Sequence, residues 1–311
     1  MGSFCNGVEG KKFGKVDSKL KNNSKGVVTT IKAEYGDIYD CVDIHKQPAL
    51  DHPTLANHKI QVRPGKELED KLARFRAEKA HDGVVNVKIG LEKGCPPGTV
   101  PIRKLTHKKH ARARSSSQKL QFHSLWNHGL EADNHQSTGC YNTLCSGFVH
   151  VNDRIPLDYV FPNISLFMGI QFEIYFILAK VDATGDWWFL LNESSEYVGY
   201  WPKSIFTSLS GAADTMRWGG QIFTPSTDGA SPQMGNGHFE NGQYRKTCHM
   251  SNIRVINATN SPVIPDNSWV QTVDSRCYYA RDNSYKPGLL EYSFLFGGVG
   301  GKNQGVDGCI Y

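Results

Sequence analysis

The clearest pattern along the chain is a two-residue alternation. Phe172, Ile174, Phe176 and Leu178 alternate with Gln171, Glu173, Tyr175 and Ile177, the signature of a half-buried strand. Asp182-Ala183-Thr184-Gly185-Asp186 then reads as a turn, and Trp187-Trp188-Phe189-Leu190-Leu191 as the returning strand, so this stretch predicts a β-hairpin. Further strand-length runs end at Trp201, Phe223, Val255, Val273 and Phe296, with turn residues between them. No helix-period stripe of useful length interrupts the run after Gly139, so the C-terminal part predicts an antiparallel sandwich or barrel.

The N-terminal third is patterned differently. Short strands are expected between Val27 and Val42, turning at Tyr35-Gly36-Asp37. Pro64-Gly65 opens the one convincing helix, expected over residues 67–80, where Leu68, Leu72 and Phe75 form a narrow apolar stripe. Cys95-Pro96-Pro97-Gly98 is a rigid turn. Residues 103–119 are basic and Ser-containing without periodicity, and read as an exposed linker. Four regions follow: a polar, disordered N-terminus (1–26), a small α+β region (27–106), a basic junction (107–136) and the β region (137–311).

Composition sharpens this picture in two places. With 31 glycines and 39% hydrophobic residues, the chain is rich in turns yet able to bury a core. The formal net charge of +5 is a mild excess, and the basic stretch lacks the aromatic interleaving and motifs of nucleic-acid readers, so no nucleic-acid partner is expected. No apolar run is long enough to span a bilayer, and no membrane partner is expected. No signal peptide is visible, which alone would favour the cytosol. The eight cysteines favour an oxidising compartment, because their spacings suit neither a CxxC motif nor a zinc site. Neither metal nor cofactor is expected. Sequons at Asn163, Asn192 and Asn257 are glycosylation candidates.

Several ordered strings carry a family resemblance. In the N-terminal part they are Asp40-Cys41-Val42-Asp43-Ile44, Lys46-Gln47-Pro48-Ala49, Asp51-His52-Pro53 and Gly94-Cys95-Pro96-Pro97-Gly98-Thr99-Val100-Pro101-Ile102-Arg103. In the C-terminal part they include Gly139-Cys140-Tyr141-Asn142, Cys145-Ser146-Gly147-Phe148-Val149, Gly185-Asp186-Trp187-Trp188 and Val198-Gly199-Tyr200-Trp201-Pro202. Trp218-Gly219-Gly220, Gln233-Met234-Gly235-Asn236-Gly237-His238-Phe239 and Phe296-Gly297-Gly298 complete the set. Over residues 27–106 and 137–309 the chain resembles the plant neprosin family. The resemblance implies an activation peptide followed by a lectin- or jelly-roll-like β-sandwich glutamic peptidase domain, secreted, cleaving at proline and working in acid. It also implies the pairs Cys41–Cys95, Cys140–Cys145 and Cys277–Cys309, and leaves Cys5 and Cys248 without a role.

Two departures bear on activity. The family's second catalytic Glu follows the Trp-Gly-Gly string, where this chain has Gln221. The family's first Glu lies on a strand well ahead of the Gly-Cys-Tyr string, and residues 107–136 hold no matching segment, so the sandwich is expected to be shortened. Gln221 can donate a hydrogen bond to an oxyanion but cannot ionise, so it cannot act as a general acid or base. Among the acidic residues beyond the junction, Glu173 falls on the polar face of its strand and is expected to be solvated. Trp187, Trp188 and Trp201 are expected in packing, and Trp218, beside Gln221, is the best cleft candidate together with Gly219 and Gly220. His238 has no nucleophile motif beside it and is expected to be a satisfied structural histidine. The expected function is that of a non-catalytic neprosin-like protein, either a truncated remnant or a pseudo-peptidase binding peptide or carbohydrate. The alternative is a secreted acid glutamic endopeptidase made as a proprotein.

Overall fold

The computed structural model describes residues 25–34, 36–75, 84–86, 89–104, 125–126, 140–141, 143, 146–157, 159, 161, 163, 165–191, 196–206, 209–213, 216, 218–220, 233–239, 243, 245–259, 261–266, 277–288, 290–303 and 309–310. The protein is mainly β, and among the described residues its sheets are antiparallel apart from one short parallel pair, and sandwich-like, with no closed barrel.

The N-terminal region builds its own sheet. Strands β1 (Val27–Lys32) and β2 (Ile38–Asp43) form the expected pair around the turn at Gly36. The helix α1 (Lys66–Phe75) begins one residue before the expected start, and residues 76–83 lie outside the described residues. It is the longest helix among the described residues, and Leu68 anchors it in the core. A short strand β3 (Val84–Asn86) and strand β4 (Thr99–Arg103) follow, and β4 completes the sheet in the order β1-β2-β4. The Cys41–Cys95 disulfide ties the middle of that sheet to the Pro96-Pro97 turn. Closing a loop of 54 residues in this way stabilises the fold by about 4 kcal/mol on a chain-entropy estimate.

The C-terminal region begins with the short pair β5 (Leu125–Trp126) and β6 (Cys140–Tyr141). Strands β7 (Val149–His150), β8 (Gln171–Glu173), β9 (Phe176–Lys180), β10 (Trp187–Leu191) and β11 (Glu196–Trp201) come next. The predicted hairpin is β9–β10, and the four-stranded sheet runs β7-β11-β10-β9. Its close packing depends on Gly199, which faces His150 across the ladder. A Cβ there would stand 2.3 Å from the Val149 carbonyl oxygen and 2.6 Å from the Phe148 ring. Strand β12 (Cys248–Met250), the small pair β13 (Val255–Ile256) and β14 (Pro262–Val263), and the long hairpin of β15 (Tyr279–Lys286) with β16 (Glu291–Gly297) follow. The second sheet runs β12-β16-β15, and β17 (Lys302–Asn303) with β18 (Cys309–Ile310) forms a terminal pair.

Two differences from the sequence reading concern one stretch. The alternating segment is split, since β8 ends at Glu173 and β9 begins at Phe176. Its faces are also reversed in the first half. Gln171 and Glu173 are buried while Phe172 is half-buried and Leu178 is exposed. The polar residues go inward because each has buried partners: Gln171 donates to main-chain carbonyls, and Glu173 pairs with a histidine. Strand β8 also makes the one parallel pairing among the described residues, with β3 of the N-terminal region.

The main hydrophobic core crosses the boundary between the two regions. Tyr39, Ala49, Leu55, Leu68 and Leu91 pack in one cluster with Phe148, Trp188, Leu190, Tyr200 and Trp201. Trp188 stacks on Tyr200 at 4.5 Å between ring centroids. A second cluster, Met234, Cys248, Met250, Ile253, Cys277, Tyr278 and Phe296, lies behind the β12-β16-β15 sheet.

The joint between the regions hinges on Gln47, which is fully buried. Its side-chain amide donates to the His150 carbonyl at 3.1 Å and to the Ile44 carbonyl at 2.9 Å, and its Oε1 accepts from the His150 N–H at 2.7 Å. The amide thus caps edge strand β7 as another strand would. Replacing Gln47 with Ala leaves a buried N–H and two carbonyls unpaired, and should cost about 3 kcal/mol or more in urea denaturation. Gln47→Glu should cost more still, because a carboxylate cannot donate to the carbonyls and carries a buried charge.

Candidate functional site

Three places in the fold hold the residues with chemical potential. The first is the segment flagged by the Trp-Gly-Gly string. Trp218 is half-buried and packs against the second core cluster. Gly219 is exposed, and a side chain added there would meet nothing within 4 Å, so the segment faces open space. Gln221 lies outside the described residues. Trp188 and Trp201 are buried, and Trp187 donates its ring N–H to the Leu209 carbonyl, so these three are packing residues as expected.

The second place is an ion pair that the sequence reading missed. Glu173 on β8 and His249 on β12 stand with Oε1 and Nε2 at 3.3 Å, and their side chains are 1% and 2% exposed. The expected solvated Glu173 is therefore a buried carboxylate. Its pairing joins a strand of one sheet to a strand of another. On the other side of the ring, His249 Nδ1 faces the Thr247 carbonyl at 3.5 Å. Both ring nitrogens face oxygen atoms, the Glu173 carboxylate on one side and the Thr247 carbonyl on the other. Removing one partner from such a pair strands a charge in the interior, which makes it a tie between sheets. At 1% exposure the carboxylate is closed off from a peptide or an attacking water. No signal short of the three-dimensional contact points to it, because Glu173 and His249 are far apart in sequence and neither sits in a motif.

The third place is the seam between the regions. Tyr200 Oη accepts from the Gln61 N–H at 3.0 Å and meets His58 Nε2 at 2.7 Å. Burial pushes the Tyr200 hydroxyl up to about 12, so it keeps its proton. Gln61 Nε2 donates to Asp186, whose other oxygen accepts from the Lys203 N–H. Tyr197 donates to Glu69 on α1, Tyr159 to the Gly90 carbonyl, and the Leu91 and Cys95 N–H groups to the carbonyls of Arg154 and Asp153. A cleft of about 760 Å³ opens along this seam, lined by Arg63, Glu69, Asp153, Glu196 and Tyr197 among others.

Other sequence candidates are placed as follows. His238 is exposed, with its ring 4.3 Å from that of Phe167. Asn163 and Asn257 are exposed, as glycosylation requires, and Asn192 lies outside the described residues. Cys277 is disulfide-bonded, and so is Cys248, for which the sequence reading had no role. The pairing of Cys140 with Cys145 and the side chain of Cys309 lie outside the described residues. Among the described residues no group of three or more ligand-type side chains could hold a metal.

The fold and seam thus define a class: a sandwich-like β domain with an N-terminal α+β region docked onto one sheet. Comparison with protein families agrees. The neprosin family model matches residues 112–299, and the neprosin activation peptide model matches residues 30–139. The chain belongs to the neprosin family. The opening catalytic segment expected to be lacking would fall in residues 107–136, of which only Leu125 and Trp126 are among the described residues.

The seam should be acid-sensitive. Burial pushes the His150 imidazole down from 6.5 to about 4, with the backbone at Asn152 and Ile155 offsetting part of the effect. Neither ring nitrogen reaches a partner in good hydrogen-bond geometry. His58 is also held low, chiefly by burial, with Asp186 opposing. A histidine kept neutral in the fold contributes stability that is full above its unfolded value of 6.5. That contribution falls as the pH drops toward 4 and is flat below, because the unfolded chain takes up the proton first. The His150 share is about 3 kcal/mol. Denaturant titrations across this range should show stability declining by up to about 1.4 kcal/mol per pH unit from His150. His150→Phe should remove that slope while the Gln47 contacts, made through the main chain, persist.

Proposed function

We propose that this chain is a neprosin-family protein that binds extended peptide without hydrolysing it. The observation carrying the reading is the carboxylate inventory. The family's second glutamate is replaced by Gln221, and the one fully buried glutamate among the described residues, Glu173, is held by His249. A glutamic peptidase needs one carboxylate to activate water and a partner to stabilise the oxyanion and return the proton. Trp218 and the open Gly219 beside it offer an aromatic wall and main-chain hydrogen-bonding groups, which suit an extended peptide. A secreted, disulfide-bonded setting accords with the family and with the Cys41–Cys95 bridge.

The acid-sensitive seam favours a second reading, a proprotein of an acid endopeptidase whose N-terminal region loosens as His150 and His58 take up protons. One assay separates the two. Full-length protein, intact and nicked within residues 103–119, is incubated with proline-containing peptides between about pH 2 and pH 6, where a carboxylate pair would titrate. No cleavage is expected, and peptide binding should persist. Gln221→Glu alone should not create activity, since one carboxylate has no partner for the proton traffic. Acid-dependent cleavage that falls about a thousandfold or more on a single Glu or Asp substitution, beginning with Glu173→Gln, would overturn the non-hydrolytic reading.

A further inference from the structure

One apolar turn is left in water by the fold. Leu166, Phe167, Met168 and Ile170 follow one another around Gly169 and are 56%, 42%, 56% and 54% exposed. Phe239, 47% exposed, adjoins His238, which stacks on Phe167. Scattered exposed apolar residues need no explanation, but a contiguous group does.

The turn is also held rigidly. Leu166 N–H donates to the Ile170 carbonyl at 3.0 Å, and Gly169 N–H to the Leu166 carbonyl at 2.9 Å. Gln171 Nε2 reaches the carbonyls of Leu166 and Gly169, at 2.8 and 3.0 Å. Arg245 clamps the outside: its guanidinium donates to the Gly169 carbonyl at 2.8 Å, and its own carbonyl accepts from Met168 N–H at 2.9 Å. Met168 and Arg245 both sit in left-handed backbone conformation, at φ 59° and 71°. Non-glycine residues in this region carry backbone strain. The fold therefore spends strain to keep apolar side chains out of its own core.

Charge indicates what meets them. Arg245 and the adjoining Lys246 form no ion pair with any described carboxylate. Arg245's bonds to neutral carbonyls leave its charge intact. An apolar tip with uncompensated cations at its base matches a surface that is hydrocarbon beneath and anionic at the level of its head groups. We propose that residues 166–170 form an interfacial anchor that inserts into an anionic lipid surface, with Arg245 and Lys246 at phosphate level. The expectation of no membrane partner rested on the lack of a spanning segment; among the described residues no helix is long and apolar enough to cross, and an anchor lying in the interface needs none.

The test is co-sedimentation of the full-length protein with vesicles of phosphatidylcholine alone and with about one-third phosphatidylserine. Binding to the anionic vesicles is expected to be about tenfold or more tighter and to weaken with added salt. Leu166→Ser with Met168→Ser should reduce it about tenfold or more while leaving the thermal melt unchanged, and Lys246→Gln by about fivefold. The proposal is overturned if anionic vesicles do not retain the protein, or if retention is unaffected by the double substitution. It is equally overturned if the double substitution acts only by dispersing a self-associated form in sedimentation without lipid, which would make the turn a contact between copies of the chain.

Discussion

Everything N-terminal to the sandwich depends on one buried side-chain amide. Gln47 pairs with both main-chain groups of His150, so a single residue does for β7 what a neighbouring strand would. Without it, the sheet β7-β11-β10-β9 would end in an open edge against apolar side chains. With it, the Ala49 and Leu55 turns come down onto Trp188, Tyr200 and Trp201, and two regions share one core. The contacts of His58 and Gln61 with Tyr200, and of Gln61 with Asp186, then fix the direction in which the chain leaves the joint.

That arrangement places histidines where protonation is costly. The His150 ring is fully buried, and His58 meets Tyr200 in the seam. Acid should therefore weaken the fold around the His150 ring and the His58 contact in the seam. By contrast the Glu173–His249 pair ties two sheets of the sandwich together and is sealed from solvent.

Much of the fold was legible in the chain. The hairpin β9–β10 follows from Asp182-Ala183-Thr184-Gly185 between two apolar runs, and the β1–β2 pair from the turn at Gly36. The Cys41–Cys95 bridge was implied by the family strings and is present. What could not be read were contacts between residues distant in sequence. Period-two reasoning put Glu173 in water because it counts polarity along one strand and cannot see His249 arriving from β12. The same limit hid Gln47, which looks like an ordinary loop residue until its partner His150, 103 residues away, is known.

The central claim is that the N-terminal region and the sandwich sheet form one cooperative unit through Gln47. Native-state hydrogen exchange in increasing denaturant tests it most directly. The amides of β2 and β4 should exchange with the same opening free energy, and the same denaturant dependence, as those of β10 and β11. If β2 and β4 instead open at low free energy while β10 and β11 stay protected, the N-terminal region is an independent appendage and the account is wrong.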